Sequence, residues 1–347
     1  MHVYDLGVVP WLHSQLLYHA LPRVGGSGVI LLAPATPYVC IGYHQDAAQE
    51  VDLDFCRERG IPVFRREVGG GAVYLDGDQL FYQIVLPAAH PAAQGDKEAI
   101  YRRLLAPVVR TYQAIGIPAE YKPVNDIIVG GRKISGNGAA EIAGSTVLVG
   151  NLILDFNHEM MARVLRVPDE KFRDKVFKTL KDNLTTIRRE LGYVPPVEEL
   201  KAILIRELES ALGPLEPAAL PAEVYRMADE LAPRMTSDEW LAGRARRGGG
   251  RDVKIQAGVH VVQRAYKARG GLIRAVMVVR DGRIAELELS GDFFFYPAES
   301  LADLEQALVG VSPEQVEAAV AEFYAAHAIQ SPGLAPADFA EALRPAG

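Results

Sequence analysis

The first 90 residues consist of short apolar runs interrupted by glycine and proline, and this pattern restricts the fold more than any other feature. Residues 24–43 carry no charge and equal a membrane-spanning helix in length, but six glycine and proline residues break the run. A spanning helix would not be broken so often. The run therefore predicts two buried strands, 28–32 and 38–42, joined by a turn, and no membrane insertion.

Helical spacing appears further along the chain. Ile100, Leu104, Val108 and Tyr112 recur every four positions ahead of Gly116, which predicts a helix that ends there. The stretch 159–190 is also helical and basic, and another amphipathic helix runs from Pro195-Pro196 to Gly213. Strand-like runs follow at 253–266, 271–280 and 283–289, with Asp281-Gly282 as a hairpin turn.

The length of 347 residues corresponds to about two domains at roughly 150 residues each. Arginine and glycine alternate at 243–251, where three glycines stand together, and such a segment is typical of a linker. We therefore expect one domain over residues 1–246 and a small α+β domain over residues 252–347.

Composition excludes several classes of protein. Apolar residues make up 49% and charged residues 23%, as in ordinary globular proteins, and the net charge of −7 disfavours a whole-surface nucleic-acid binder. Only two cysteines, Cys40 and Cys56, are present. They exclude a disulfide framework and a multi-cysteine zinc site. No signal peptide is evident before residue 20, so we expect a cytoplasmic protein.

A first candidate site is the segment 65–74, which reads Arg-Arg-Glu-Val-Gly-Gly-Gly-Ala-Val-Tyr. Consecutive glycines allow backbone N–H groups to approach an anion closely, and neighbouring arginines bind phosphate or carboxylate. The spacing matches neither GxxxxGK[ST] nor GxGxxG. From local chemistry alone, a glycine-rich hairpin with solvated arginines explains the segment equally well.

A second candidate site is the segment 125–136. Asn125 and Asp126 are oxygen ligands suited to a magnesium ion that bridges phosphates. Gly130-Gly131 suits a type I′ hairpin, which would place Lys133 just past a tight turn. There the lysine could hold a phosphate or polarise an acyl carbonyl. Taken singly, such a lysine is more often a solvated surface residue.

The two segments, about 60 residues apart and in this order, resemble the two signature segments of lipoate-protein ligases. The similarity extends to residues 41–51, to the strand 145–154 and to the run 254–297, which resembles the accessory domain of the bacterial two-domain ligases. The resemblance implies an α+β fold: a mixed sheet flanked by helices, like that of class II aminoacyl-tRNA synthetases and biotin ligases, with a small α+β C-terminal domain.

The resemblance also implies a two-step reaction. Lipoate attacks the α-phosphate of ATP, with Mg²⁺ as cofactor, to give lipoyl-adenylate, and a lysine of an acceptor protein such as a lipoyl domain then displaces AMP. Lys133 would be the catalytic residue and Asp126 the metal ligand of a monomeric enzyme that binds neither nucleic acid nor membrane. The cofactor-binding residues would be Arg66, Gly70, Gly71, Ala72, Val73, Tyr74, Asn125 and Asp126.

Three alternatives are related by fold. Octanoyl transferases need a cysteine downstream of the glycine segment to form a thioester, and this chain has no cysteine after Cys56. A biotin ligase would carry an arginine-rich GRGRxGR type of loop, which is absent. A non-catalytic lipoyl-binding homologue would not need Arg66, Lys133 and the glycine run. Two positions depart from the family pattern: Val68 replaces a hydroxyl residue, and Ile142-Ala143-Gly144 stands where histidine is frequent.

A locally basic stretch contrasts with the acidic chain. Between Arg163 and Glu190, nine basic residues face five acidic ones. A solvated helical face explains such a stretch. The alternative hypothesis is that part of it docks an acidic lipoyl domain or closes over the adenylate.

Overall fold

The computed structural model describes residues 1–167, 171–243, 253–256 and 259–344. The chain forms two compact units. The first comprises Met1–Ile41, Ala47–Val68 and Ala72–Leu241. The second comprises Gly42–Asp46, Gly69–Gly71 and the described part of Ala242–Gly347. The expected domain boundary at residues 246–252 lies outside the described residues.

The first unit contains twelve of the described strands and ten of the described helices. Its strands are β1 (His2–Val9), β2 (Gly28–Pro34), β3 (Tyr38–Ile41), β4 (Val63–Arg65), β5 (Val73–Leu75), β6 (Gln79–Pro87), β7 (Glu120–Lys122), β8 (Asp126–Val129), β9 (Arg132–Ser135), β10 (Asn137–Ile142), β11 (Ser145–Ile153) and β12 (Glu216–Pro217). Its helices are α1 (Trp11–Arg23), α2 (Ala47–Glu50), α3 (Leu53–Glu58), α4 (Lys97–Ala114), α5 (His158–Val164), α6 (Lys171–Asn183), α7 (Ile187–Leu191), α8 (Val197–Leu212), α9 (Ala222–Met235) and α10 (Asp238–Ala242).

The first unit is built on a six-stranded sheet with the order β10-β11-β6-β2-β1-β12. β1 is parallel to β2 and to β12, whereas the pairs β2–β6, β6–β11 and β11–β10 are antiparallel. The predicted mixed sheet flanked by helices is therefore confirmed. Two three-stranded sheets, β4-β3-β5 and β7-β8-β9, carry the two sequence segments that resemble ligase motifs.

The central strands of the six-stranded sheet are apolar because they are buried. Every residue of β6 except Pro87 is buried, and the apolar run in β2 is also buried. α1 packs on α9 and α4 packs on α8. The predicted helix around Ile100 is α4. Its N-cap is Asp96, whose side chain accepts a hydrogen bond from Ala99 N. The helix ends shortly before Gly116, whose φ is +88°. The uncharged run 24–43 contains β2 and β3, as predicted.

The second unit contains a four-stranded antiparallel sheet. Its strands follow chain order: β13 (Val253–Gln256), β14 (Val259–Ala268), β15 (Gly271–Arg280) and β16 (Arg283–Gly291). The predicted Asp281-Gly282 turn is confirmed, because both residues have positive φ (+51° and +74°), as a type I′ hairpin requires. Three helices, α11 (Leu301–Ala307), α12 (Val316–His327) and α13 (Pro336–Leu343), contribute to its core, with Phe293, Phe295 and Phe339.

Two short segments from early in the sequence belong to the second unit. Gly291 N donates to His44 O at 3.1 Å, and the His44 ring stacks on Phe293 with ring centroids 5.4 Å apart. A Cβ at Gly69 would lie 2.8 Å from the Phe294 ring. These contacts explain why 42–46 and 69–71 cluster with residues about 220 or more positions away. No described helix is long and apolar enough to cross a membrane.

Candidate active site

The Lys133 hairpin has the predicted geometry. Gly130 and Gly131 have φ of +52° and +81°, which defines a type I′ turn between β8 and β9. Lys133 follows the turn, and its Nζ lies 2.7 Å from Asp126 Oδ1. Their side chains are 38% and 31% exposed. A half-exposed pair of this kind contributes less than about 1 kcal/mol, so an incoming phosphate can displace the carboxylate from the ammonium group.

Backbone contacts fix the strand that carries Lys133. Thr185 N donates to Lys133 O at 2.8 Å, and Leu184 forms a parallel β-bridge with Lys133. On the following residue, Ile134 O accepts a hydrogen bond from the buried Tyr112 hydroxyl at 2.8 Å. The backbone of Lys133 is thus held by neighbouring strands, while its side chain is partly exposed and paired with Asp126.

Asn125 and Asn137 bind each other's backbone. Asn137 Nδ2 donates to Asn125 O at 2.9 Å, and Asn125 Nδ2 donates to Asn137 O. These reciprocal bonds connect the start of β8 to the start of β10. The structure therefore brings Asn125, Asp126 and Lys133 together, and it commits the amide nitrogen of Asn125 to the scaffold.

A chain of buried hydrogen bonds joins the two candidate segments. Gln79 Nε2 donates to Tyr74 O at 3.3 Å, and Gln79 Oε1 accepts from Asn151 Nδ2 at 2.6 Å. Asn151 Oδ1 in turn accepts from Gly136 N at 2.8 Å. Gln79 and Asn151 are 1% and 8% exposed. Buried amides whose hydrogen bonds are all made restrict the positions of the groups that they bind. The chain therefore links β5 to Gly136, the residue that follows β9.

A second buried group lies next to this chain. The Tyr82 hydroxyl donates to Asn137 Oδ1, and the Ser135 hydroxyl donates to Asn151 O at 2.7 Å. Gly150 makes room for the group, because a Cβ there would overlap the Tyr82 hydroxyl and Asn137 Oδ1. Burial raises the pKa of Tyr82 well above its usual value, so this phenol remains a neutral hydrogen-bond donor.

Sequence reasoning missed Gln79, Tyr82, Asn137 and Asn151. The available signal was the presence of amides and a phenol within β6, β10 and β11, whose other residues are mostly apolar. Buried polar groups require partners. Their position in largely buried strands was therefore an indication of a polar network.

The two arginines of the first segment are held within the protein. Arg65 is 3% exposed; its Nε donates to Trp240 O at 3.0 Å and its Nη2 to Leu241 O at 2.8 Å. Arg66 is 8% exposed and its Nη1 donates to Cys40 O at 3.3 Å. Arg65 thus binds carbonyls of α10, a role that its sequence position did not indicate.

The segment that enters the glycine run is fixed by His19. Its Nδ1 donates to Gln15 O at 2.7 Å, and its Nε2 accepts from Glu67 N at 3.2 Å. The Glu67 carboxylate accepts two hydrogen bonds from Arg23 Nη2, at 2.8 and 2.9 Å. Burial lowers the pKa of His19 to about 4, so the ring is neutral near pH 7, as an accepting Nε2 requires.

The glycine run makes close backbone contacts in the second unit. A Cβ at Gly42 would overlap the carbonyl of Gly70, whose φ is +94°. Gly71 has more space, since a Cβ there would meet Asp292 only at 3.7 Å. The predicted anion-binding role of these glycines stays a prediction, because the contacts seen here are packing contacts.

The remaining residues of the first segment lie in the first unit. Ala72 packs against the core around Val39, and Val73 and Tyr74 are in β5, where they pair with Cys40 and Val39. Burial raises the pKa of Tyr74 to about 12. The Tyr74 phenol therefore stays protonated near neutral pH, as a neutral hydrogen-bond donor.

The donor set fits a magnesium ion that is held mainly by substrate phosphates. No cluster of three or more histidine, cysteine, aspartate or glutamate side chains able to hold a metal occurs among the described residues. Asp126 offers one carboxylate beside Lys133. Mg²⁺ is commonly bound through one or two carboxylates together with phosphate oxygens, so a single aspartate is consistent with such a site.

Comparison with known proteins defines the family. Residues 9–209 match the model of the lipoyl protein ligase A/B catalytic domain, and the chain belongs to this family. Residues 260–343 match the bacterial lipoate protein ligase C-terminus. The predicted family resemblance is therefore confirmed for both parts of the chain.

Individual relatives include both ligases and a transferase. Lipoate–protein ligase 1 of Staphylococcus aureus is 27% identical over 83% of this chain and 82% of its own length. The octanoyltransferase LipM of Kyrpidia tusciae is 27% identical over 59% of this chain and 82% of its own length. Among solved structures, the bipartite lipoate protein ligase of Thermoplasma acidophilum, described with its E2 lipoyl domain, is 28% identical with a TM-score of 0.62, over 72% of this chain and 98% of the other.

Proposed function

We propose that this protein is an ATP-dependent lipoate–protein ligase. The Lys133–Asp126 pair carries the proposal: a cation on a rigid hairpin, 2.7 Å from a carboxylate and accessible to solvent. The match of residues 260–343 to the bacterial ligase C-terminus supports a ligase, because the transferase relative covers only 59% of this chain.

In the first step, a lipoate carboxylate oxygen attacks the α-phosphorus of ATP and the bond to pyrophosphate breaks. Negative charge accumulates on the α-phosphate oxygens, and the Lys133 ammonium group stabilises it. Before substrate binds, Asp126 keeps that ammonium group within the site. Asp126 would also bind Mg²⁺ together with the phosphates of ATP, and the ion would neutralise part of their charge.

In the second step, the ε-amine of an acceptor lysine attacks the acyl carbonyl, the carbon–oxygen bond to AMP breaks and an amide forms. Lys133 serves again, because the same phosphate carries the charge of the leaving group. Seven residues are proposed to bind the nucleotide: Arg66, Gly70, Gly71, Ala72, Val73, Tyr74 and Asn125. Val73 and Tyr74 lie in β5 and would bind through their backbone groups. The hydrogen-bonded chain through Gln79 and Asn151 holds β5 and Gly136 in register for this purpose.

The state of the two thiols disfavours a thioester mechanism. Cys40 and Cys56 are each 1% exposed. Burial raises the pKa of Cys40, although the neighbouring Arg66 guanidinium opposes the shift, and burial raises the pKa of Cys56 to about 11. Both groups are therefore protonated near pH 7, whereas a nucleophilic cysteine needs a thiolate and access to the acyl carbonyl.

The proposal extends to domain roles and setting. We propose that residues 1–246 carry both half-reactions and that residues 252–347 form the accessory domain. The acceptor is proposed to be a lipoyl domain, the kind of protein with which the T. acidophilum ligase is described. We also propose that the enzyme is monomeric and cytoplasmic, and that it binds neither nucleic acid nor membranes.

The test is to incubate the protein with lipoate, Mg-ATP and a lipoyl domain, and to measure pyrophosphate release and the mass of the acceptor. The expected result is release that requires lipoate and a lipoyl adduct that requires ATP. A parallel reaction supplies octanoyl-acyl carrier protein without ATP. Octanoylation of the acceptor in that reaction would favour the transferase and contradict the proposal.

A further inference from the structure

A buried amide in the central sheet has one unused hydrogen-bond acceptor. Gln83 lies in β6 and is 2% exposed, and its Nε2 donates to Ser14 O of α1 at 2.6 Å. Because the Ser14 carbonyl can only accept, the amide nitrogen must face it and Oε1 must point elsewhere. Among the residues that the structure describes, Gln83 Oε1 finds no hydrogen-bond donor. A buried carbonyl left in this state is a candidate contact for a ligand that carries a donor.

The face of the sheet beside Gln83 is partly accessible. Gln83 is paired with Ile30 of β2 and with Val149 of β11, and residues paired in this way share a face. Ile30 is buried, whereas Val149 is only partly buried although β11 lies between β10 and β6. Opposite Val149, on β10, stands Gly138, which adds no side chain to this face. A ligand can therefore approach the sheet next to the Gln83 amide.

The same face continues to the candidate active site. Gln79, four residues earlier on β6, shares the face of Gln83 and is joined through Asn151 to Gly136 N, three residues after Lys133. At about 3.3 Å per residue, Gln83 lies about 13 Å along the strand from Gln79. A chain of eight carbons with a terminal oxygen or sulfur spans about 10 Å, since an extended chain advances about 3.6 Å every three bonds. An acyl chain held at Lys133 by its carboxylate therefore has about the length needed to end at Gln83.

We propose that Gln83 determines specificity for the far end of the acyl chain, and that it favours an acid with a hydrogen-bond donor near its eighth carbon. The inference rests on the proposed function, because it concerns the acid that is adenylated. A hydroxyl or thiol at that position donates to Gln83 Oε1, whereas a terminal methyl group leaves the carbonyl unpaired. Dihydrolipoate carries a thiol on its eighth carbon, and the closed dithiolane ring of lipoate offers no donor.

Two acids of nearly equal size test the proposal: 8-hydroxyoctanoate, and nonanoate, in which a methyl group replaces the hydroxyl. The quantity measured is kcat/KM for pyrophosphate release that requires the acid and Mg-ATP, with hydroxylamine in place of an acceptor. The unmodified protein should prefer the hydroxy acid about 3-fold or more, because the hydroxyl exchanges water for the unpaired carbonyl. Dihydrolipoate should exceed lipoate by a smaller factor, since a thiol is a weaker donor.

Gln83→Met removes the amide and keeps a side chain of similar length. In this variant the preference should reverse to favour nonanoate by about 10-fold, because the hydroxyl would leave water without finding an acceptor. The advantage of dihydrolipoate should also disappear. The matched control is Thr111→Val, which removes a buried hydroxyl whose hydrogen bond to Pro107 O stays within α4, and it should keep the ratio of the unmodified protein. Each ratio compares two acids on one protein, so a smaller folded fraction in a variant cancels.

Two results would overturn the role of Gln83: a preference of the unmodified protein for nonanoate, or the same ratio in Gln83→Met as in the unmodified protein. Failure of the proposed function gives a different result, namely no pyrophosphate release with any of the acids. The dissociation constants of 8-hydroxyoctanoate and nonanoate, measured by calorimetry without ATP, then test Gln83 alone, with the same expected order and the same reversal in Gln83→Met. Binding of neither acid would overturn the acyl site as well.

Discussion

The buried His19 predicts a specific pH dependence of stability. In the folded protein the ring donates through Nδ1 to Gln15 O and accepts through Nε2 from Glu67 N. Protonation of Nε2 would place two donors face to face. Burial is the largest cause that lowers the folded pKa to about 4, against 6.5 for the unfolded chain. His19 thus contributes full stability above pH 6.5, and the contribution is lost as the pH falls toward 4.

The magnitude follows from the difference between the two pKa values. The unfolded chain binds the His19 proton between pH 6.5 and about 4 while the folded protein does not. The free energy of unfolding therefore falls by about 1.4 kcal/mol per pH unit in this window, or about 3 kcal/mol in all. Because carboxylates also titrate there, the informative quantity is the difference between the unmodified protein and His19→Gln.

The assay is urea unfolding of both proteins at pH 8, 7, 6, 5 and 4. His19→Gln should be less stable at pH 8, since glutamine cannot make both hydrogen bonds in the same geometry. The deficit should shrink by about 3 kcal/mol toward pH 4, because the variant lacks the titrating group. A deficit that stays constant over this range would refute the neutral, doubly hydrogen-bonded histidine.

Three further substitutions test the scaffold and the chemistry. Gly150→Ala should destabilise the protein by about 1–3 kcal/mol in thermal unfolding, because the new Cβ overlaps the Tyr82 hydroxyl and Asn137 Oδ1, and an unchanged Tm would contradict that packing. Cys40→Ala should keep ATP-dependent lipoylation within a few fold, whereas complete loss would reopen the thioester mechanism. Arg65→Met should cost about 2–4 kcal/mol in urea unfolding, since two backbone carbonyls of α10 lose their donor; stability equal to that of the unmodified protein would contradict this role.

Features set by local chemistry were predictable from the sequence. The paired glycines at 130–131 specified a type I′ turn, because both residues must adopt positive φ. That turn placed Lys133 just after the hairpin, where it meets Asp126. Likewise, four-residue spacing and Gly116 specified α4 and its end, since a helical face repeats at that interval.

Features set by distant contacts were not predictable. Arg65 finds its partners in α10, about 175 residues later, and no local pattern indicates which carbonyls a buried guanidinium will bind. Gln79 and Asn151 meet only because β6 and β11 are neighbours in the sheet. The inclusion of Gly69–Gly71 in the second unit depends on packing against Phe293 and Phe294, which a reading of consecutive segments cannot show.

The central claim is that Lys133 stabilises the adenylate chemistry, and lipoate-dependent exchange of pyrophosphate into ATP tests it most directly. The unmodified protein should catalyse exchange that requires both lipoate and Mg-ATP. Lys133→Ala should lower the rate by about 100-fold or more, with transfer from added lipoyl-adenylate reduced as well, while thermal unfolding stays nearly unchanged because the Lys133–Asp126 pair is half-exposed. Exchange at the normal rate in Lys133→Ala would contradict the account.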